Sequence, residues 1–209
     1  MSFILSFLFP WLLIVCLLQV LARRPGNWRS LLAFALAALV IVLLPARGIP
    51  LGRWMAGLNY QPSIPFLGSL AALVWKNCFR SEILRPEDKS IGWIFGGVVG
   101  TLLYPLALGL GNFDCYSWGW GFSALFPILA VITIGLIWRR NRFGVLLLLS
   151  IVAYDLHWLE SPNFWDYLVD PIYWLLSLSM LANAALKKLR GDKLLQPQER
   201  ESSHESMRP

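Results

Sequence analysis

From Phe3 to Ala22 the chain carries no charged residue, and the run stops at Arg23-Arg24. Runs of this kind recur along most of the sequence. A helix that spans a bilayer needs about 20 mostly apolar residues, with a range of roughly 17–25. In lipid every backbone amide and carbonyl must be satisfied within the segment, which leaves the helix as the solution for such runs. The sequence therefore predicts an all-α fold, a polytopic transmembrane helix bundle of about seven spans: 3–22, 28–44, 57–75, 91–110, 122–138, 143–160 and 170–186. The first run lacks a basic leader and a small-residue cleavage site, so it reads as an anchor and not as a signal peptide. Residues 1–186 form the helical domain, and 187–209 are expected to be a disordered cytoplasmic tail rich in Lys, Arg, Glu, Gln and Ser.

Charge placement tests the count. The segments 23–29, 76–89, 139–142 and 187–209 hold 3, 4, 3 and 6 Lys+Arg, together 16 of the 18 in the 209-residue chain. The other set of loops holds only Arg47 and Arg53. Short cytoplasmic loops concentrate Lys and Arg. The division places the N-terminus outside and the C-terminus in the cytoplasm, and it suits a bacterial inner membrane. The span at 57–75 is the weakest by hydropathy, yet removing it would invert every later loop. The net charge of +6 is thus a topology signal, and nucleic acid is not expected as a partner.

Composition excludes other classes. The chain is 57% hydrophobic and 14% charged, against roughly 25% charged in soluble domains. No phosphate-binding glycine loop, His-Glu-x-x-His or nucleophile elbow occurs. The three cysteines, Cys16, Cys78 and Cys115, fall in different layers, so no internal disulfide is expected. Only His157 and His204 exist, which argues against a histidine metal site; no cofactor is expected.

One stretch departs from the plain membrane pattern. Residues 154–174 hold four of the twelve acids (Asp155, Glu160, Asp166 and Asp170), seven aromatic residues and His157, with no Lys or Arg. If the helix starting at Phe143 continues, Asp155 lies 13 residues beyond Arg142. That is about 20 Å into a hydrocarbon core about 30 Å thick. An acid at that depth faces a cavity or a partner. On the continuing helix Tyr154 and Trp158 share a face with Asp155. The alternative is a short helix ending near Ala153, with the acids as ordinary loop residues. Asp170 before Pro171 reads as a helix N-cap followed by proline in the first turn. His157 is expected to bond Glu160 or a headgroup.

The candidate surface for a ligand or partner is Asp155, His157, Trp158, Glu160, Trp165 and Asp166, with Asp114 from a second outer loop, 111–121. Arg47 and Arg53 are candidates to pair with the acids. Aromatic walls with a few carboxylates suit a glycan, a polar lipid headgroup or a cation. Gly92, Gly96 and Gly100 recur at helical spacing and form a helix-packing face. The functional expectation is a non-catalytic binding or accessory subunit whose outer face handles a lipid headgroup, a glycan or an envelope-enzyme partner. The alternatives are a small transporter or an intramembrane enzyme using the outer carboxylates. Sparse mid-helix polar residues count against a transporter, and the lack of a nucleophile–base pair at a specific spacing counts against an enzyme.

Overall fold

The computed structural model describes residues 2–22, 27–111 and 113–205; the side chains of 2–6 and 191–205 are outside that description. Arg23, Arg24 and Asn112 lie outside the described residues, as do the side chain of His204 and residues 206–209. The fold is predominantly helical. Its helices are α1 (Ser2–Ala22), α2 (Trp28–Leu43), α3 (Leu51–Ala56), α4 (Ile64–Phe79), α5 (Pro86–Ala107), α6 (Leu125–Trp138), α7 (Phe143–Asp155), α8 (Trp165–Leu168) and α9 (Pro171–Glu205). Pro45–Ala46 and Ile49–Pro50 form a small hairpin, and Cys115–Gly119 form one 3-10 turn.

Helix α1 lies against α2, α3 and α4; α4 meets α7; α5 lies along α9; and α6 packs on α7. Two apolar cores result. One gathers Phe9, Val15, Val42, Phe66, Leu103 and Tyr173. The other gathers Leu129, Phe143, Leu147, Phe164, Tyr167 and Leu168 under α6, α7 and α8. Polar ties reinforce the first: the Trp11 indole donates to the Ala35 carbonyl at 2.9 Å, and Gln19 Nε2 donates to the Val74 carbonyl at 3.3 Å.

Helix starts and stops follow local chemistry. Asn27 and Ser30 make a reciprocal capping box at α2. Asp88, 1% exposed, accepts from the Arg85 amide at 2.8 Å and from the Arg142 amide at 3.0 Å. One carboxylate thus caps α5 and holds the α6–α7 turn beside it. Three helices end in the same paired pattern: Leu110 N–H to Pro105 O with Gly109 N–H to Leu106 O, Asn141 to Leu136 with Arg140 to Ile137, and Trp158 to Ala153 with His157 to Tyr154. These are Schellman turns. They set Gly109, Arg140 and His157 in the left-handed region, at φ 79°, 55° and 51°.

The glycine face of α5 lies against α7 and α9. A Cβ at Gly92 would press on the Phe143 ring at 3.1 Å; at Gly96 it would overlap Ser177 Oγ and meet Tyr173 at 2.8 Å; at Gly100 it would overlap Trp174. The Tyr173 hydroxyl donates to the Gly92 carbonyl at 2.7 Å across this contact.

Several element bounds differ from the sequence reading. In the 57–75 segment only 64–75 is helical, as part of α4, which runs on to Phe79; 57–63 is a turn that separates α4 from the short α3. Helix α5 begins at Pro86, because Pro at the first turn and the Asp88 cap stabilise a start among charged residues. Helix α7 stops at Asp155 and does not reach residue 160, since the chain turns at His157. The backbone of α9 continues through residues 187–205, where the sequence suggests disorder. Among the described residues one helix, Pro86–Ala107, is long and apolar enough to cross a membrane by length and composition; five others are apolar but shorter.

Candidate binding site at the acidic end

The starts of α4 and α9, the ends of α5 and α7, and the loops 111–121 and 154–170 meet at one end of the bundle. Asp170 holds it together. Its Oδ1 accepts from Asn59 Nδ2 at 2.8 Å, from the Ile172 amide at 3.0 Å and from the Tyr173 amide at 2.9 Å. Its Oδ2 accepts from the Ser63 amide at 2.9 Å and from the Ser63 hydroxyl at 2.7 Å. The residue is 3% exposed. A buried carboxylate is tolerable when its lone pairs are filled in this way. Asp170 is thus the N-cap of α9 and also ties that helix to α4.

The two loops form one cap over this junction. Asn163 Nδ2 donates to the Tyr116 carbonyl at 3.0 Å, the Phe164 amide to the Gly119 carbonyl at 2.9 Å, and the Trp165 indole to the Cys115 carbonyl at 2.9 Å. Gly119 is required by this close approach, because any Cβ there would overlap Asn163 Oδ1. Tyr167, fully buried, fastens the second loop by bonding both the amide and the carbonyl of Leu159 at 3.1 Å.

Under the cap opens a cavity of about 420 Å³, lined by Tyr60, Gln61, Tyr104, Tyr116, Asp166 and Val169 among others. The Tyr116 hydroxyl donates to the Asp166 carboxylate, 3.2 Å and 3.1 Å from its two oxygens. Tyr104 donates to the Val169 carbonyl at 3.3 Å, and Tyr60 donates to Glu160 Oε2 at 2.8 Å. No Lys or Arg is among the lining residues. Burial pushes the Asp166 carboxyl above its ordinary value, against the opposing hydrogen bonds from Ser161 and Tyr116. Burial, with the neighbouring Asp166 charge, pushes the Tyr116 phenol up to about 12. The pocket is therefore rich in acceptors and hydroxyls, half desolvated, and has no fixed cation of its own.

The residues singled out by sequence separate. Asp166 lines the pocket, Glu160 bonds Tyr60 beside it, and Trp165 braces the cap. Trp158 packs half-buried on the second core. Asp155 is exposed, at a different cleft. The shared helix face of Tyr154, Asp155 and Trp158 does not form, because α7 has already ended. His157 Nδ1 lies 3.0 Å from the Asp155 carbonyl oxygen, a contact within its own turn. Asp114 faces its own turn and accepts from the Tyr116 amide at 2.9 Å. Arg47 is exposed at the hairpin turn, with φ 54°. Arg53 is exposed on α3, close enough for its charge to act on Tyr60. The pocket also takes Tyr60, Gln61, Tyr104 and Tyr116, which no sequence motif marks. They come from three separate segments, and no local pattern in the sequence connects them.

Cys16, Cys78 and Cys115 are free thiols. Among the described residues, no group of three or more His, Cys, Asp or Glu side chains is placed to hold a metal ion. Comparison of the chain with protein-family models, with curated proteins and with solved structures gives no match.

Proposed function

We propose that the chain is a multi-pass membrane protein in a bacterial inner membrane, and that the pocket under the cap binds a hydroxyl-rich headgroup of a lipid or glycan without catalysing its conversion. The seven spans are α1, α2, α4, α5, α6, α7 and the first part of α9, with the acidic end outside. The observation that carries the membrane reading is the surface. Val131 on α6 is 71% exposed, Val40 on α2 60%, Leu102 on α5 58% and Trp138 87%. Contiguous apolar faces on several helices are unfavourable in water and suited to lipid. Helices α6 and α7 have 14 and 13 residues, about 20 Å each, so the bilayer thins beside them.

Impermeant thiol labelling of intact cells tests the orientation, with single cysteines at Ser2, Ser90 and Ser202 in a chain whose native cysteines are replaced. Ser2 is expected to label; Ser90 and Ser202 are expected to stay protected until the membrane is opened. Labelling of Ser90 in intact cells overturns the topology.

The headgroup reading rests on Asp166. A half-buried carboxylate with a tyrosine donor, ringed by hydroxyls and an amide, matches a ligand with several hydroxyl donors. Protein in phosphatidylglycerol nanodiscs, with and without glucosyl diacylglycerol, supplies the test. The sugar lipid is expected to raise the melting temperature of the parent. Tyr116→Phe and Asp166→Asn should each weaken the affinity for the sugar lipid about tenfold, the worth of one hydrogen bond to a polar ligand, and so reduce the rise in melting temperature. A parent indifferent to the sugar lipid removes the support for this ligand class.

A further inference from the structure

A second cleft lies between the start of α6 and the end of α7. It measures about 430 Å³ and is lined by Phe122, Phe126, Tyr154, Asp155 and Leu156, with Gly121 at its edge. Its chemistry differs from that of the pocket under the cap. Phe122 is 90% exposed and stacks on Phe126 at 5.4 Å and 18°; Phe126 continues the stack onto Phe164 at 4.3 Å and 10°. Tyr154 closes the other side, 5.3 Å from Phe126. The ring faces carry negative quadrupole. Asp155 is the last residue of α7, at the negative pole of that helix, where an acid works against stability. Asp155 takes no part in the ion pairs Lys76–Glu82, Arg85–Asp88 and Lys89–Glu82. Carboxylate, helix end and ring faces all contribute the same sign. Local preferences are broken most often at functional or strained sites.

We propose that this cleft binds an organic ammonium group, with Asp155 as counter-ion and Phe122 and Tyr154 as the aromatic wall. Hard metal cations are poor occupants, since they need six or more oxygens and the cleft offers one carboxylate among apolar rings. Sugars are poor occupants for the same lack of polar partners. An alkylated or primary ammonium takes both kinds of wall at once, charge to carboxylate and C–H surface to ring face. Such a group arrives either as a free amine or as the headgroup of phosphatidylethanolamine. The site stands apart from Asp166 and from the reading given to its pocket.

The test uses the full chain in phosphatidylglycerol nanodiscs, read by thermal unfolding. Tetramethylammonium chloride replaces sodium chloride at equal ionic strength in one arm. Phosphatidylethanolamine replaces half of the lipid in the other. The parent is expected to gain about 2–4 °C in at least one arm. A gain with both identifies the ammonium itself; a gain only with the lipid identifies the bilayer headgroup as its source. Asp155→Asn and Phe122→Ala should lose the gain, and Asp155→Asn should melt higher than the parent without any ammonium, because the unfavourable helix-end charge is gone. Asp166→Asn should keep the gain. No gain in either arm overturns the proposal. So does a gain that survives Asp155→Asn and Phe122→Ala, or one that Asp166→Asn removes.

Discussion

Asp170→Ala is expected to be the most damaging single change at the acidic end, costing about 4 kcal/mol or more. Its carboxylate serves donors from Asn59, Ser63, Ile172 and Tyr173. Truncation leaves two backbone amides of α9 uncapped, which costs about 1 kcal/mol. It also leaves the buried Asn59 amide and the Ser63 donors without partners, at about 1–3 kcal/mol for each group left buried. Ser63→Ala removes one of two bonds to Oδ2 and keeps the backbone one, so it should cost only about 1 kcal/mol. Because Tyr60 and Gln61 sit between Asn59 and Ser63, the alanine variant should also lose the response to the sugar lipid. Thermal unfolding of the three proteins in the same nanodiscs checks the order. An Asp170→Ala protein that melts like the parent would show that the carboxylate does not join α4 to α9.

The second large effect is at Gly96. A methyl there would overlap Ser177 Oγ and meet the Tyr173 ring at 2.8 Å. That ring cannot swing away cheaply, since its hydroxyl is bonded to the Gly92 carbonyl. Gly96→Ala should cost about 1–3 kcal/mol, and Gly96→Leu should exceed that range and lower the yield of folded protein. Ser177→Gly combined with Gly96→Ala should recover part of the loss, because Ser177 Oγ has no hydrogen-bond partner to forfeit. Wild-type melting for Gly96→Leu would place this face away from α9.

What sequence revealed and what it hid divide by range. The apolar runs located the long helices, because each run is local and its period is its own. The glycine spacing on α5 and the Asp170-Pro171 helix start were equally local, and both contacts exist as geometry. The start of α5 is not legible from hydropathy, because Glu87, Asp88 and Lys89 break the apolar run, whereas a helix start tolerates acids in its first turn. The depth assigned to Asp155 assumed a continuing helix. A glycine at 157 would have signalled the stop; histidine in the left-handed region gives no such sign. The pocket was hidden for a different reason. Tyr60, Tyr104 and Asp166 lie 44 and 62 residues apart along the chain, and no periodicity connects them.

The Asp170 knot also has a consequence in time. It joins residues 107 and 111 positions apart. At a synthesis rate of about 5–20 residues per second, Ser63 and Asn59 emerge roughly 5–20 s before the carboxylate that will satisfy them. Throughout that interval the first four helices are an unfinished body, with polar groups at the mouth of α4 that only water or another protein can occupy. The acidic end is thus completed only after α1 to α8 have been made. A nascent chain halted before residue 154 lacks Asp166 and Asp170, and so carries neither the complete pocket nor the knot.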